Sequence, residues 1–348
     1  MKAGGFALSN WSRGVLAAAC ITLLTSGSMA QESAPASPAA PPSPSDPKPV
    51  DYPNWETLRA GEYTGFNKRA TLRQRGKRVY EQSCIGCHGA KGDGKGVAAI
   101  RLITKPRDFT SGSYKFRSTD SASLPLEVDL FRTIRRGLSR VSMPAFPMMP
   151  ERDVLAVIEY IKGFYPDWED EKGDRVVVAA PRAPVDLLSS DRVRRGRFVY
   201  IAMQCGTCHG PDGSGKGAEK QVFEDIWGNE QRPLDFTRGR LKSGDDPEDV
   251  YRTFHTGLIS IMPAYGPDLL ASANVETIDT QKALMLPNDE AELLSYRDQF
   301  PASGGVFGAM PDAERLELGQ RNSWDLVAYI QSLRQSTSTS AAVLGDER

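Results

Sequence analysis

Two pentads, Cys84-Ile85-Gly86-Cys87-His88 and Cys205-Gly206-Thr207-Cys208-His209, place two thiols and an imidazole at one spacing twice in a chain of 348 residues. Cys-x-x-Cys-His is the spacing at which a porphyrin can be attached covalently. On a helix, thiols three residues apart lie about one turn apart and face the same way. Both can add to the vinyl groups of one porphyrin, and the adjacent histidine can reach its iron from the proximal side. Zinc is the competing chemistry, but the paired knuckles of a four-cysteine zinc site usually stand roughly 15–20 residues apart. Here more than a hundred residues separate them. A disulfide inside one pentad would close only a tiny loop. The expected cofactors are therefore two covalently bound haem c groups, one iron per pentad.

The fifth cysteine, Cys20, sits in an N-terminal segment that reads as an export signal. Lys2 and Arg13 precede a short apolar run, Gly14 to Leu24, and Ser28-Met29-Ala30 offers small residues at the cleavage positions. Cleavage is expected after Ala30, with a periplasmic product; the run is short for a membrane anchor. The five apolar residues before Cys20 are too few for a lipoprotein box. Residues 31–62, rich in Pro, Ala and Ser at their start, read as a tether. Removing the signal leaves four cysteines, all in the pentads.

Each pentad opens the same series of motifs. Arg75-Gly76-Lys77-Arg78-Val79-Tyr80 corresponds to Arg195-Gly196-Arg197-Phe198-Val199-Tyr200. Glycine-rich segments follow at Gly92–Gly96 and Gly213–Gly217, then Pro106-Arg107-Asp108-Phe109-Thr110 and Pro233-Leu234-Asp235-Phe236-Thr237. Leu130-Phe131-Arg132-Thr133 matches Val250-Tyr251-Arg252-Thr253, and Met143-Pro144-Ala145-Phe146 matches Met262-Pro263-Ala264-Tyr265. The closing segments are helical in pattern: Val154, Val157, Ile158 and Ile161 share one face. Gly76 is expected to let the helix of Tyr160 approach closely. The glycine-rich segments lack the strand and Lys-Ser/Thr ending of a phosphate loop, and read as turns covering the haem.

This order resembles the class I cytochrome c domain, over residues 65–165 and 190–335, and the whole chain is similar to a di-haem cytochrome c. The resemblance implies an all-α fold of two tandem domains, one covalent haem in each, and electron transfer as the activity. Domains are placed at 63–178 and 179–348, the second with an insertion at about 266–322. The resemblance also implies that the carbonyl of Pro106 or Pro233 accepts the other N–H of the proximal histidine. The alternative for those prolines is a simple turn before a strand-like Asp-Phe-Thr segment.

Cofactor-binding residues are then Cys84, Cys87, His88 and Met143 in one half, and Cys205, Cys208, His209 and Met262 in the other. His88, Met143, His209 and Met262 are the iron ligands. A thioether opposite the imidazole fills the sixth position. Met148 and Met149 are rivals in the first half, and Met310 in the second, but only Met143 and Met262 hold the repeated frame before Pro-Ala-aromatic. His255 aligns with Arg135 and reads as a surface or pocket-edge residue; the sharper alternative has it replace Met262 in one redox state.

Forty per cent of the chain is hydrophobic and its net charge is −1, ordinary for soluble domains. The charge is uneven. Residues 51–178 hold 22 basic and 17 acidic side chains, and residues 179–348 hold 18 and 25. That bias suggests steered docking, the basic half toward an acidic partner and the acidic half toward a basic one. No aromatic platform accompanies the basic residues, so nucleic acid is not an expected partner. The expected role is a relay of single electrons between redox proteins: a dehydrogenase, an oxidase or reductase, or another cytochrome. No catalytic residue is assigned. Such a carrier needs no membrane and excludes none. The alternatives are a cytochrome subunit of a larger oxidoreductase, and a di-haem enzyme (a peroxidase or sulfur-compound dehydrogenase) with one reactive haem.

Overall fold

Nearly all the regular secondary structure is helical, joined by long loops, in a computed structural model that describes residues 66–345 apart from 218–222, 239, 260–261 and 303. The expected signal, with Lys2, Arg13, Cys20 and Ala30, and the expected tether lie outside the described residues. The described residues belong to one unit. The first repeat folds as α1 (Phe66–Ser83), the pentad turn α2 (Ile85–His88), α3 (Glu127–Arg136) and α4 (Glu151–Lys162), followed by a short α5 (Trp168–Glu171). The second gives α6 (Ser190–Ala202), α7 (Gly206–His209) and α8 (Pro247–Thr256). It continues through α9 (Pro267–Ala271), α10 (Val275–Thr280), α11 (Asp289–Leu294) and α12 (Gly304–Ala309) to α13 (Asp312–Gly345). The one two-stranded hairpin among the described residues pairs β1 (Phe223–Glu224) with β2 (Glu230–Gln231). Among the described residues no helix is long and apolar enough to cross a membrane.

Local chemistry sets these elements. Pro150 precedes α4, Glu151 and Asp153 occupy its first turn and Lys162 its last, each charge matched to the helix dipole. Its expected apolar face is buried, with Val154, Val157, Ile158 and Ile161 all at 5% exposure or less. In each half the helix before the pentad crosses the closing helix, α1 on α4 and α6 on α13. The crossings are glycine contacts: a Cβ on Gly76 would run into the Ala156 carbonyl, and one on Gly196 into that of Asp325. Tyr160 and Tyr329 lie just beyond, their Cβ atoms 2.9 and 2.8 Å from those positions.

The opposite charge bias of the halves is partly consumed inside the chain. Arg136 on α3 reaches Asp249 on α8 at 2.8 Å and Asp246 at 3.1 Å. Lys115 pairs with Asp225 at 2.9 Å, and buried Arg117 donates to the Thr256 carbonyl at 2.9 Å. Because Lys115 and Arg136 face acids of the same molecule, the expected steering of external partners loses that share of its charge.

The extra segment of the second half folds as short helices packed on α6 and α13. One buried guanidinium ties it down. Arg197 pairs with Asp289, and donates to the Leu284 carbonyl at 3.0 Å and the Tyr329 hydroxyl at 2.9 Å. Its counterpart Lys77 is exposed beside Glu81, 3.8 Å away.

Gly196→Ala or Gly76→Ala should cost about 1–3 kcal/mol, the usual penalty of overpacking, because backbone rather than a movable side chain blocks the new methyl. Thermal unfolding of the holoprotein checks this, and an unchanged Tm would contradict the crossing geometry.

Candidate haem sites

Each pentad is built on a turn that begins where the preceding helix ends. Backbone N–H groups of His88 and His209 donate to the Cys84 and Cys205 carbonyls at 2.9 and 3.0 Å, completing the turn. The glycine-rich loops then fold back on it. Gly94 N donates to the His88 carbonyl at 2.9 Å, and Gly215 N to that of His209 at 2.7 Å. Tyr80 and Tyr200 close the far side, their hydroxyls donating to the Gly89 and Gly210 carbonyls at 2.8 and 2.6 Å.

The imidazoles are held alike. His88 Nδ1 lies 3.0 Å from the Arg107 carbonyl, and His209 Nδ1 lies 3.0 Å from that of Leu234. A carbonyl only accepts, so Nδ1 carries the proton and Nε2 keeps its lone pair for a metal. Burial holds both rings below the ordinary histidine value, keeping them neutral. The acceptors correct the expectation of Pro106 and Pro233. Gly94 and Gly215, with φ of 72° and 78°, sit against those proline carbonyls, and the next residue in each chain turns its carbonyl to the ring.

A second correction concerns Asp-Phe-Thr, which is a capped turn and not a strand. Asp108 accepts from Thr110 N at 2.8 Å, and Asp235 from Thr237 N at 2.8 Å. The turn serves the site: Phe109 stacks on His88 with centroids 4.5 Å apart, and Phe236 on His209 at 4.3 Å. Sequence reasoning did not assign these phenylalanines a role, although their repetition after the proline was the available signal.

The Met-Pro loops double back through a glycine in each half. Gly137 and Gly257, at φ 63° and 64°, end α3 and α8 where any side chain would strike the returning loop. Leu138 N then donates to the Met143 carbonyl at 3.1 Å, and Leu258 N to that of Met262 at 2.9 Å.

In the first half Cys84, Cys87, His88 and Met143 line one cavity of about 690 Å³. Its apolar wall includes Leu130, Ile134, Val157 and Ile161. The volume falls in the range of small-molecule and cofactor sites, roughly 300–1,000 Å³. Tyr114 also borders it, and its buried hydroxyl has no hydrogen-bond partner among the described residues. A porphyrin bearing carboxylates suits such a site: thiols and a lone-pair nitrogen on one wall, a thioether in another, and a donor awaiting an acceptor. Met149 borders the cavity as well, its carbonyl taken by Arg135 at 2.5 Å, while Met148 is 90% exposed.

In the second half Cys205 and Met262 pack against one apolar cluster that contains Phe236, the ring under His209. Tyr265, three residues after Met262, is pushed up to about 12 by burial and then by Cys205 and Cys208, which places this loop beside the pentad thiols. Met285 packs on the same cluster, a thioether that sequence reasoning did not consider. Met310 follows α12, outside the Met262 loop.

The thiols of Cys84 and Cys205 are not poised as metal ligands. Burial raises Cys84 to about 11 and Cys205 to about 12, so both are protonated. Among the described residues no three His, Cys, Asp or Glu groups converge on a metal position, and the four cysteines are free. Protonated thiols beside a cavity suit addition to a porphyrin better than a zinc knuckle.

His255 is buried and not on the surface. It is 6% exposed, stacks on Tyr251 at 4.0 Å, and its Nε2 lies 3.0 Å from Ser323 Oγ. Replacing Met262 would require leaving both contacts.

Burial also holds the His255 imidazole down at about 4, against an ordinary 6.5. The neutral ring is the folded form, so its contribution is complete above pH 6.5 and fades as pH falls toward 4, by on the order of 3 kcal/mol. His255→Gln should flatten that part of the acid limb when denaturant unfolding is measured at pH 7 and pH 4.5. An unaltered pH dependence would remove His255 from the account.

Comparisons with known proteins agree with this geometry. The family model described as "Cytochrome C oxidase, cbb3-type, subunit III" matches residues 71–161, and the Cytochrome c model matches residues 193–334. Among solved structures, the chain is similar to one from the Kuenenia stuttgartiensis reducing HAO-like protein complex Kustc0457/Kustc0458. The identity is 29%, the TM-score 0.53, and the match covers 75% of this chain and 96% of that one. No curated protein matches it.

Proposed function

From a chain built of two tandem cytochrome c domains, we propose an exported carrier that holds one covalent haem c per domain and relays single electrons between redox partners. The observation that carries this reading is the arrangement of His88 and Met143. An imidazole fixed with its proton on Nδ1 and its Nε2 lone pair free borders one cavity together with a thioether and the thiols of Cys84 and Cys87. The same backbone hydrogen bonds and ring stack recur around His209.

The haem would supply the one-electron couple; the residues supply its attachment, orientation and dryness. Cys84 and Cys87, with Cys205 and Cys208, would form the thioether links. His88 and His209 would ligate from one side, Met143 and Met262 from the other. Filling both sixth positions leaves no site for bond chemistry, which favours a carrier over a peroxidase or sulfur-compound dehydrogenase. Export with cleavage after Ala30 belongs to the same proposal, because a covalent haem c is expected on the far side of the inner membrane.

A second form of the reading is a cytochrome subunit of an oxidoreductase complex. It is favoured by the likeness to a chain of a reducing HAO-like protein complex, and by the packed segment that sets the second half apart.

Mass spectrometry of the mature protein should give a chain starting at Gln31 plus two porphyrins. A chain without them would sink the proposal. Carbon monoxide should bind the reduced wild type slowly or not at all, whereas Met143→Ala and Met262→Ala should each open one haem to it. Rapid stoichiometric binding by the wild type would favour the enzyme.

A further inference from the structure

The wall of the first cavity is not all from the first domain. Trp227, Asn229 and Gln231 of the β1–β2 hairpin border it, and so does Lys242. The second repeat has six more residues between Gly217 and Arg232 than the first has between Gly96 and Lys105, and the hairpin lies in that stretch. It is organised around Asp225, which accepts from Trp227 N at 3.1 Å, Asn229 N at 3.0 Å and Gln231 Nε2 at 3.1 Å. A further interaction of Asp225 crosses to the first domain, to Lys115 at 2.9 Å. The Trp227 ring covers the Arg107 guanidinium at 3.8 Å. Arg107 is the residue whose carbonyl holds His88.

Lys242 stands apart from the other cations of the interface. Arg117, Arg136 and Arg252 each have carbonyl or carboxylate partners. Lys242 has no ion pair or hydrogen bond among the described residues. Burial lowers it, and its charged neighbours, Lys115 and Arg140, lower it further. A half-buried ammonium among like charges is costly unless an anion joins it. It occupies the place in its repeat that Lys115 occupies in the other, six residues after the phenylalanine under the histidine. Tyr114, beside Lys115, brings to the same cavity a protonated hydroxyl that has no acceptor among the described residues.

The geometry points to a first haem site completed by the second domain: Lys242 is the counter-cation for a haem carboxylate, and the hairpin seals the cavity and steadies Arg107 through Trp227. This rests on the proposal that the first pentad carries a haem. Lys242 and Trp227 act as positioning and tuning residues, and neither touches the iron. A cation near a haem favours the reduced form, which carries one positive charge less.

The test uses the full holoprotein, first shown by mass to hold two haems, so failure of the haem proposal is read separately. Spectroelectrochemical titration of Lys242→Gln should lower one midpoint and leave the other in place, and Lys242→Arg should restore it. The first haem is assigned with Met143→His, whose second nitrogen ligand lowers its midpoint. Trp227→Leu should alter the spectrum of that same haem while both haems are retained. If Lys242→Gln keeps two haems and neither midpoint moves, or only the second haem's moves, the inference is wrong.

Discussion

The bond from each proximal imidazole to a backbone carbonyl is the constraint on which the rest of each half depends. A buried neutral histidine has two tautomers, and only the one protonated on Nδ1 leaves Nε2 free for iron. The carbonyls of Arg107 and Leu234 select that tautomer at 3.0 Å. To bring them there the chain needs a proline followed two residues later by a capping aspartate, and a glycine with positive φ packed on the proline carbonyl from 12 or 18 residues earlier in sequence. That turn presents Phe109 or Phe236 to the ring face. The pentad turn then has to be anchored, which Tyr80 and Tyr200 do from the helices behind it. Those helices can lie close enough only because Gly76 and Gly196 carry no side chain.

Much of this was legible because the chain states it twice. The pentads, the glycine crossings and the Met-Pro frames recur in order, and a motif repeated in order is difficult to ascribe to chance. The acceptor carbonyl was read one residue early. A proline is conspicuous in a sequence, but which neighbouring carbonyl turns inward depends on the glycine pressed against it. His255 was misplaced because a lone histidine carries no period; its burial comes from Tyr251 and Ser323, one of them on a helix distant in sequence. The ion pairs between the halves were invisible for the same reason. The net charges of the two segments were readable, whereas their mutual neutralisation depends on α3 meeting α8.

That neutralisation changes what the charge asymmetry means. A basic and an acidic half joined by a flexible linker would offer two separate docking faces. Here Lys115 and Arg136, from the basic half, meet Asp225, Asp246 and Asp249 of the acidic half. The side chains of Asp225 and Asp249 are only 3% and 2% exposed, so these pairs fix how the halves meet more than they add net stability.

The two halves depart from one another at two additions, and the additions act in opposite directions. The segment of α9 to α12 is held by Arg197 against the base of its own pentad loop, since the same guanidinium reaches the Pro211 carbonyl at 2.5 Å. It thickens the second half from behind. The hairpin inserted after Gly217 serves its own half little; its aromatic ring and its acid are both engaged with residues of the first. A duplicated domain that merely repeated its parent would need neither. One addition packs behind the second site and the other borders the first, so residues of the second half stand at both sites. The first half, with Lys77 exposed where Arg197 is buried, has kept the simpler form of the repeat.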